Sequence, residues 1–419
     1  MKRVLFSNVQ VIDCSGADAF PGEVLVEGNR IISVARSDAA LPRDHVQLVD
    51  GGGKTHLMPG LIESHSHLSI DDVEDLATIG RMPSEENTLL TMHNARRYLD
   101  YGITSCISAA AAKPRSDVVI RNAINAGEIP GPRLLACSPW LTVTGGLGDE
   151  RKLHMPHVDS MAMVVDGPEN YRVTTRELIR EGVDIIKLVI SGDTFLPHAP
   201  STSTVMSEAE VAAAAEVVHA HGKRMSAHAR SAEAVKLCVK YGVKVIYHAN
   251  FADEEALDML EEHKDELFVS PNVGFTVVAA YEGSEWFTEE QVLRFGFRDE
   301  LDGAIEGVKE LRKRGVRVLG GGDYGFIFTP HGKNARDLDH YVRYFDFTPM
   351  EALLTMTKYG GQAMDMPNEL GQIREGFLAD LLLVDGNPAD DPKVLLDHDK
   401  LLVVMKDGQF HKQAVDADR

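Results

Sequence analysis

The side chains of this 419-residue chain best suited to chemistry are four histidines, a lysine and an aspartate, each set in or at the end of an apolar run. His65 and His67 form a His-x-His pair within PGLIESHSH. On an extended strand residues i and i+2 face the same side, so both imidazoles can reach one ion. His228 closes KRMSAH, His248 closes VKVIYH and Asp323 closes VRVLGGGD. Imidazole and carboxylate suit zinc and similar divalent metals, with ligand distances of about 2.0–2.2 Å. Lys187 stands inside DIIKLVI, where an ammonium is costly to bury and demands a salt bridge or a chemical modification. Singly, each residue has a blander reading. A chain with 17 histidines produces a His-x-His pair by coincidence. His228 or His248 alone reads as a hydrogen-bonded structural histidine, and Asp323 could cap a turn.

The elements that carry these residues decide between the readings. The middle of the chain alternates strands and helices. Its eight strand-like runs are LMPGLIESH, ITSCISA, RLLACS, VDIIKLVI, KRMSAH, VKVIYH, LFVSPNV and VRVLGGGD, each followed by a helical pattern or a long loop. Thr174-x-x-Glu177, Ser207-x-x-Glu210 and Thr348-Pro349-x-Glu351 are expected capping boxes that start helices. Eight βα units predict an α/β fold, a (β/α)8 TIM barrel over residues 58–366, whose active site lies at the C-terminal ends of the strands. His65, His67, Lys187, His228, His248 and Asp323 then share one face of one barrel, and this joint placement outweighs coincidence. GGGDYG (320–325) has the glycines of a phosphate loop, but it follows the eighth strand with no helix behind it.

Residues 1–57 and 367–419 alternate apolar and polar residues in short runs broken by Gly28-Asn29, Gly51-Gly52-Gly53, Gly386-Asn387-Pro388 and Asp407-Gly408. Neither end has enough strands to stand alone, so a small β-sandwich domain assembled from both termini is expected. With 64 acidic against 43 basic residues the formal charge is −21, which opposes nucleic acid and anionic membranes as partners. Cys14, Cys106, Cys137 and Cys238 are scattered and read as reduced thiols. The N-terminal MKRVLFSNVQVID alternates like a strand rather than a signal peptide, and no run of 18 apolar residues occurs. A cytoplasmic location without membrane insertion is expected.

The motifs PGLIESHSH, DIIKL, SAHA, YHANF, GGGDYG, TPHG and ELGQIREGFLADLLLVDGNP together resemble the amidohydrolase superfamily, in its members with two metals bridged by a carbamylated lysine. The match spans nearly the whole chain. In finer detail it resembles the imidazolonepropionase-like and Xaa-dipeptidase-like branch, which also holds N-acyl-amino-acid, anilide, phenylurea and thiocarbamate hydrolases. The resemblance implies that His65, His67 and Asp323 bind the more buried metal and that His228 and His248 bind the second. Lys187, carrying a CO2-derived carbamate, would bridge both. It further implies two divalent ions, zinc first, although manganese and cobalt accept the same ligands. Asp323 would act as general base and then general acid, toward a metal-bridging hydroxide. A homo-oligomer is the family's habit.

The chain departs from that pattern in three places: Glu63 replaces the usual Asp before His-x-His, Gly322 replaces a Thr before Asp323, and Leu147 stands where relatives often have a His. The last change points to a less polar substrate than a basic dipeptide. Arg230, two residues after His228, is either a fork for a substrate carboxylate or carbonyl, or half of an ion pair with Glu233 or Glu63. Tyr324 and His331 either line the pocket or are structural. Trp140, Leu147 and the segment GFTVVAAYEGSEWF (274–287) form an apolar wall or simple packing. The function expected is metal-dependent hydrolysis of an amide-type C–N bond in an N-acyl amino acid or apolar dipeptide. The alternative is a hydrolase of neutral anilides, phenylureas or (thio)carbamates. A metal-dependent deaminase is disfavoured, because such relatives use one metal and lack the lysine.

Overall fold

The computed structural model describes residues 2–37, 40–154, 160–415 and 417–418. Both ends of the chain contribute to one nine-stranded sheet. Arg3–Val11 lies near its centre, paired antiparallel with Phe20–Glu27 and parallel with Gln47–Asp50 and His56–Pro59. Leu381–Val384 joins antiparallel to His56–Pro59, followed by Leu401–Lys406 and Gln409–Gln413. Val4, Phe6, Val24, Ile373, Phe377, Leu383 and Val403 fill a core of its own beneath this sheet.

The run expected as one strand, LMPGLIESH, divides at Gly60. Its first half belongs to the terminal sheet, and Leu61–Ser66 opens the barrel. The backbone changes partners there, Gly60 N donating to Asp380 O and Leu61 N to Gly102 O, each at 2.9 Å, and Thr104 passes so close that its Oγ1 would stand 2.1 Å from a Cβ at position 60. From there the barrel runs in parallel through Ile103–Ser108, then Arg133–Leu135 continued as Cys137–Thr142, Ile185–Val189, Arg224–Ser231, Val245–Phe251 and Phe268–Ser270. The expected eighth strand is irregular, but its backbone closes the ring. Val269 N donates to Arg317 O at 3.1 Å, Leu319 N to Val269 O at 2.9 Å, and Ser64 N to Gly320 O at 3.2 Å. The glycines of GGGD allow this passage, since a Cβ at Gly321 would meet His65 N at 2.7 Å.

The capping boxes at Ser207/Glu210 and Thr348/Glu351 are complete. Thr174 and Glu177 instead lie inside the helix Pro168–Glu181, which starts earlier at Gly167 with Pro168 in its first turn, where the missing N–H is harmless. Among the described residues no helix is long and apolar enough to cross a membrane.

Candidate active site

At the C-terminal end of the barrel His65, His67 and Asp323 offer ligand atoms all within 4.8 Å of one another. Asp323 Oδ1 lies 3.1 Å from His67 Nε2 and 3.6 Å from His65 Nε2. Each ring is oriented through its other nitrogen: His67 Nδ1 is 3.3 Å from Ala110 O, and His65 Nδ1 is 2.6 Å from Asn272 Oδ1. Partners of this kind set the tautomer and leave Nε2 as the ligand atom. Burial pushes the Asp323 carboxyl up, but His65 and His67 outweigh it and hold the group well below the carboxylate range. Asp323 has φ of 59°, and His248, Ala249 and Asn272 have φ of 77°, 53° and 57°. Left-handed backbone at four non-glycine positions around one site marks a geometry maintained by the surrounding structure.

Lys187, His228 and His248 stand beside this group. Lys187 Nζ lies 3.9 Å from the centroid of the Tyr247 ring, and Tyr247 is itself held by a 2.9 Å hydrogen bond from its hydroxyl to Ser64 O. Burial lowers the Lys187 ammonium to about 7. The rings of His228 and His248 are 4.4 Å apart, and those of His65 and His248 5.7 Å. His228 Nε2 is 3.0 Å from Gly192 O. Burial lowers His228 to about 4 and holds His65 and His248 well below the ordinary imidazole value, so all three are neutral, the form that ligates metal. His248 Nδ1 is buried without a hydrogen-bond partner among the described residues. A fully buried orphan beside neutral imidazoles, a low carboxylate and a lysine whose ammonium form burial disfavours fits divalent metal.

The departures from the family pattern are compensated locally. Glu63 accepts from His65 N at 3.2 Å and from Asn334 Nδ2 at 3.1 Å. Burial raises Glu63 to about 8 and Asp337 to about 7. Gly322 makes room for Asp337, whose Oδ1 would be 2.4 Å from a Cβ there. Asp337 Oδ1 accepts from the Tyr324 hydroxyl at 2.9 Å. Tyr324 therefore sits behind the site rather than in the pocket wall. His331 is placed similarly, with Nε2 2.7 Å from Ile70 O and its backbone N donating to Asp72 Oδ1 at 2.9 Å. Neither Tyr324 nor His331 is among the residues that line the cavity, and each side chain is engaged elsewhere.

The cavity above the site measures about 330 Å³. Leu147 and Trp140 line it, and so do Phe275 and Phe287 of the 274–287 segment. Phe195, Phe326 and Phe328 complete the aromatic wall. Phe275 meets Phe328 at 5.2 Å, Phe326 at 5.6 Å and Phe195 at 6.1 Å between centroids, mostly edge to face. Arg230 also faces the cavity, but its ion pairs are with neither Glu233 nor Glu63. Nε donates to Asp193 Oδ2 at 3.1 Å, and Nη1 donates to Glu300 Oε2 at 2.7 Å and Asn250 Oδ1 at 3.2 Å. The guanidinium is almost fully buried, and only Nη2 is uncommitted among the described residues.

The chain matches the family model "Amidohydrolase family" over residues 56–410 and belongs to that family. It is a metal-dependent hydrolase. Ochratoxinase from Aspergillus niger is 26% identical over 415 residues, covering 93% of this chain and 82% of the relative. The crystal structure of a prolidase complexed with N-methylphosphonate-L-proline superposes with a TM-score of 0.86 at 26% identity, covering 98% of this chain and 100% of the other. Molinate hydrolase shares the fold, with a TM-score of 0.78, 18% identity and coverage of 98% and 94%.

Proposed function

We propose that this protein hydrolyses the amide-type C–N bond of an N-acyl amino acid or dipeptide whose side chain is apolar or aromatic. The observation that carries the reading is the aromatic cavity directly above the converged His65, His67, Lys187, His228, His248 and Asp323. His65, His67 and Asp323 would hold one divalent ion and His228 and His248 a second, with Lys187 shared between them and zinc the first choice of metal. Such ions, when bound, lower the pKa of a water and polarise a carbonyl.

The residues of the chain supply the rest. The amine of Lys187, uncharged in part near neutral pH because of its burial, adds to CO2; an N–C bond forms, one proton is released, and a carboxylate results. Asp323 is kept ionised by its histidines, so it can accept the proton of the attacking water and return it to the leaving nitrogen. The wall of Phe275, Phe328 and Trp140 excludes bulk water and binds an apolar group of the substrate. Arg230, which lines the cavity and has Nη2 uncommitted among the described residues, would meet a substrate carboxylate or carbonyl. Four buried, free cysteines support a reducing, cytoplasmic setting, and a homo-oligomeric state goes with the family.

One observation favours a second reading, hydrolysis of neutral anilides, phenylureas or (thio)carbamates. The charge of Arg230 is already met by Asp193 and Glu300, and the cavity mouth carries Glu74, Asp75 and Glu150, which repel a substrate carboxylate. A screen of N-acyl amino acids and dipeptides against anilides, phenylureas and carbamates, run alongside metal analysis, tests both. Two metals per chain with turnover of the first group is the expected result. Protein without metal and without hydrolysis of either group defeats the reading.

A further inference from the structure

We propose that Asn272 is a positioning residue that locks His65 and Asp323 into one metal-binding geometry. It follows the strand Phe268–Ser270, is 1% exposed, and occupies the N-cap position of the helix Val273–Val277. An N-cap Asn ordinarily spends its side chain on the N–H groups of its own helix. Asn272 makes no such bond. Its Oδ1 is 2.6 Å from His65 Nδ1, and its Nδ2 donates to Asp323 Oδ2 at 3.2 Å.

The amide can satisfy both neighbours in one orientation only. Turned over, it would set an oxygen against the Asp323 carboxylate and offer N–H groups to His65. In the orientation present, Oδ1 accepts the Nδ1 proton of His65, so the lone pair of that ring lies on Nε2. The bond to Asp323 Oδ2 leaves Oδ1 as the oxygen facing both histidines, 3.1 and 3.6 Å from their Nε2 atoms. One side chain thus selects the ligand atom on two partners from opposite ends of the sequence.

The backbone is built to hold it. Asn272 takes φ of 57°, a left-handed conformation that Asn adopts more readily than most residues. Its carbonyl accepts from the Thr276 hydroxyl at 2.8 Å, and Phe275 N donates to Gly322 O at 3.0 Å, next to Asp323.

The inference rests on the metal site proposed above, and zinc binding to chelator-stripped protein tests the two separately. Asn272→Gly keeps the backbone conformation and removes both hydrogen bonds. Asn272→Asp keeps an acceptor for His65 and loses the donor to Asp323. Asn272→Gly should bind zinc about 10- to 100-fold more weakly, the usual effect of losing a partner that orients a ligand. Asn272→Asp should recover at least half of that loss on a logarithmic scale, and the cobalt-loaded form should show an altered visible spectrum. Wild-type protein that binds no zinc removes the site itself. Zinc-binding wild type with Asn272→Gly within threefold of it, whatever the change in Tm, overturns the role of Asn272 alone. Equal zinc affinities in the two variants overturn it as well, because the acceptor would then be irrelevant.

Discussion

Lys187 Nζ rests 3.9 Å above the centre of the Tyr247 ring, in a strand whose other residues are Ile185, Ile186, Leu188 and Val189. A ring face stabilises a cation by about 0.5–2 kcal/mol, far less than the desolvation of a buried ammonium. The ammonium form is therefore disfavoured at this place, in line with the lowering of Lys187 to about 7, and in the site proposed above a carbamate would take its place.

Lys187→Ala should abolish activity and reduce metal below one ion per chain, with partial recovery in high formate. Metal analysis and assays with and without formate measure this. A variant that keeps two metals and full turnover would falsify the shared-carboxylate role.

Asp323→Asn should lower kcat by about 10²–10⁴-fold, the range of general acid–base catalysis, because an amide cannot accept a proton from water. Metal should be retained in part, since the His65 and His67 rings keep their own partners at Asn272 and Ala110. Near-normal kcat would place the base elsewhere. His331, turned toward Ile70 O, is poorly placed to substitute.

Glu282 gives the protein an acid-sensitive contact with Arg336, His340 and Arg343. A hydrogen bond and the charge of His340, then the charge of Arg336 and a hydrogen bond from Arg343, lower its carboxyl to about 2 against partial burial that raises it. A depressed folded-state value adds stability that is fully present above about pH 4.5 and disappears as pH falls toward 2. Glu282→Gln should therefore lower Tm at pH 7 and have little effect at pH 2.5, measured by thermal denaturation at both. An equal shift at the two pH values would mean that packing, not charge, is responsible.

The convergence of six side chains at one barrel end could be read from the sequence because it depends on local periodicity. Alternation puts His65 and His67 on one side, and parallel strands end at the same face. Features that depend on partners distant in the chain were not accessible that way. Arg230 finds Glu300 from a helix 70 residues away, and nothing in SAHARS signals it. Asn272 reads as one more residue of the strand-like run LFVSPNV until the first and eighth runs of the barrel place His65 and Asp323 against it. Tyr324 and His331 lie close in sequence to Asp323, yet the Tyr324 hydroxyl is taken up by Asp337 and the His331 ring by Ile70 O, partners that the local sequence does not announce. Thr174 satisfied a capping pattern, but Gly167-Pro168 supplied an earlier start to the same helix.

Arg230→Leu should destabilise the fold by about 3–5 kcal/mol, because it leaves Asp193 and Glu300 as buried carboxylates without their cation. Urea denaturation of variant and wild type checks this. A loss below about 1 kcal/mol would indicate that water reaches the pair. The role of Arg230 in substrate binding is therefore better tested in the wild type, by comparing an N-acyl amino acid with its methyl ester. If Nη2 meets the carboxylate, esterification should lower kcat/KM about tenfold or more, as expected for a charge-assisted hydrogen bond of about 1.5–3 kcal/mol. Indifference to the ester rules out the carboxylate contact and favours neutral substrates.

Phe195 is the part of the aromatic wall that can be altered with least damage to the fold. Its ring is 40% exposed, on the loop after the fourth barrel strand, and touches Phe275, Phe295 and Phe297 at 5.3–6.1 Å. Phe275, by contrast, is buried in the main core, where truncation leaves a void. If the wall binds an arene of the substrate, Phe195→Ala should raise KM for aryl substrates about three- to tenfold, in line with about 0.5–1.5 kcal/mol per aromatic contact. KM for a straight-chain acyl analogue should stay within twofold, since flexible alkyl groups make no edge-to-face contact. The kcat should be preserved for both, because the ring contacts of Phe195 are with Phe275, Phe295 and Phe297. Steady-state kinetics on a matched pair, an N-acyl phenylalanine and an N-acyl norleucine, separates the outcomes. Equal rises for the two would reduce the ring to general apolar burial, and a selective fall in kcat would mean that the loop positions the scissile bond.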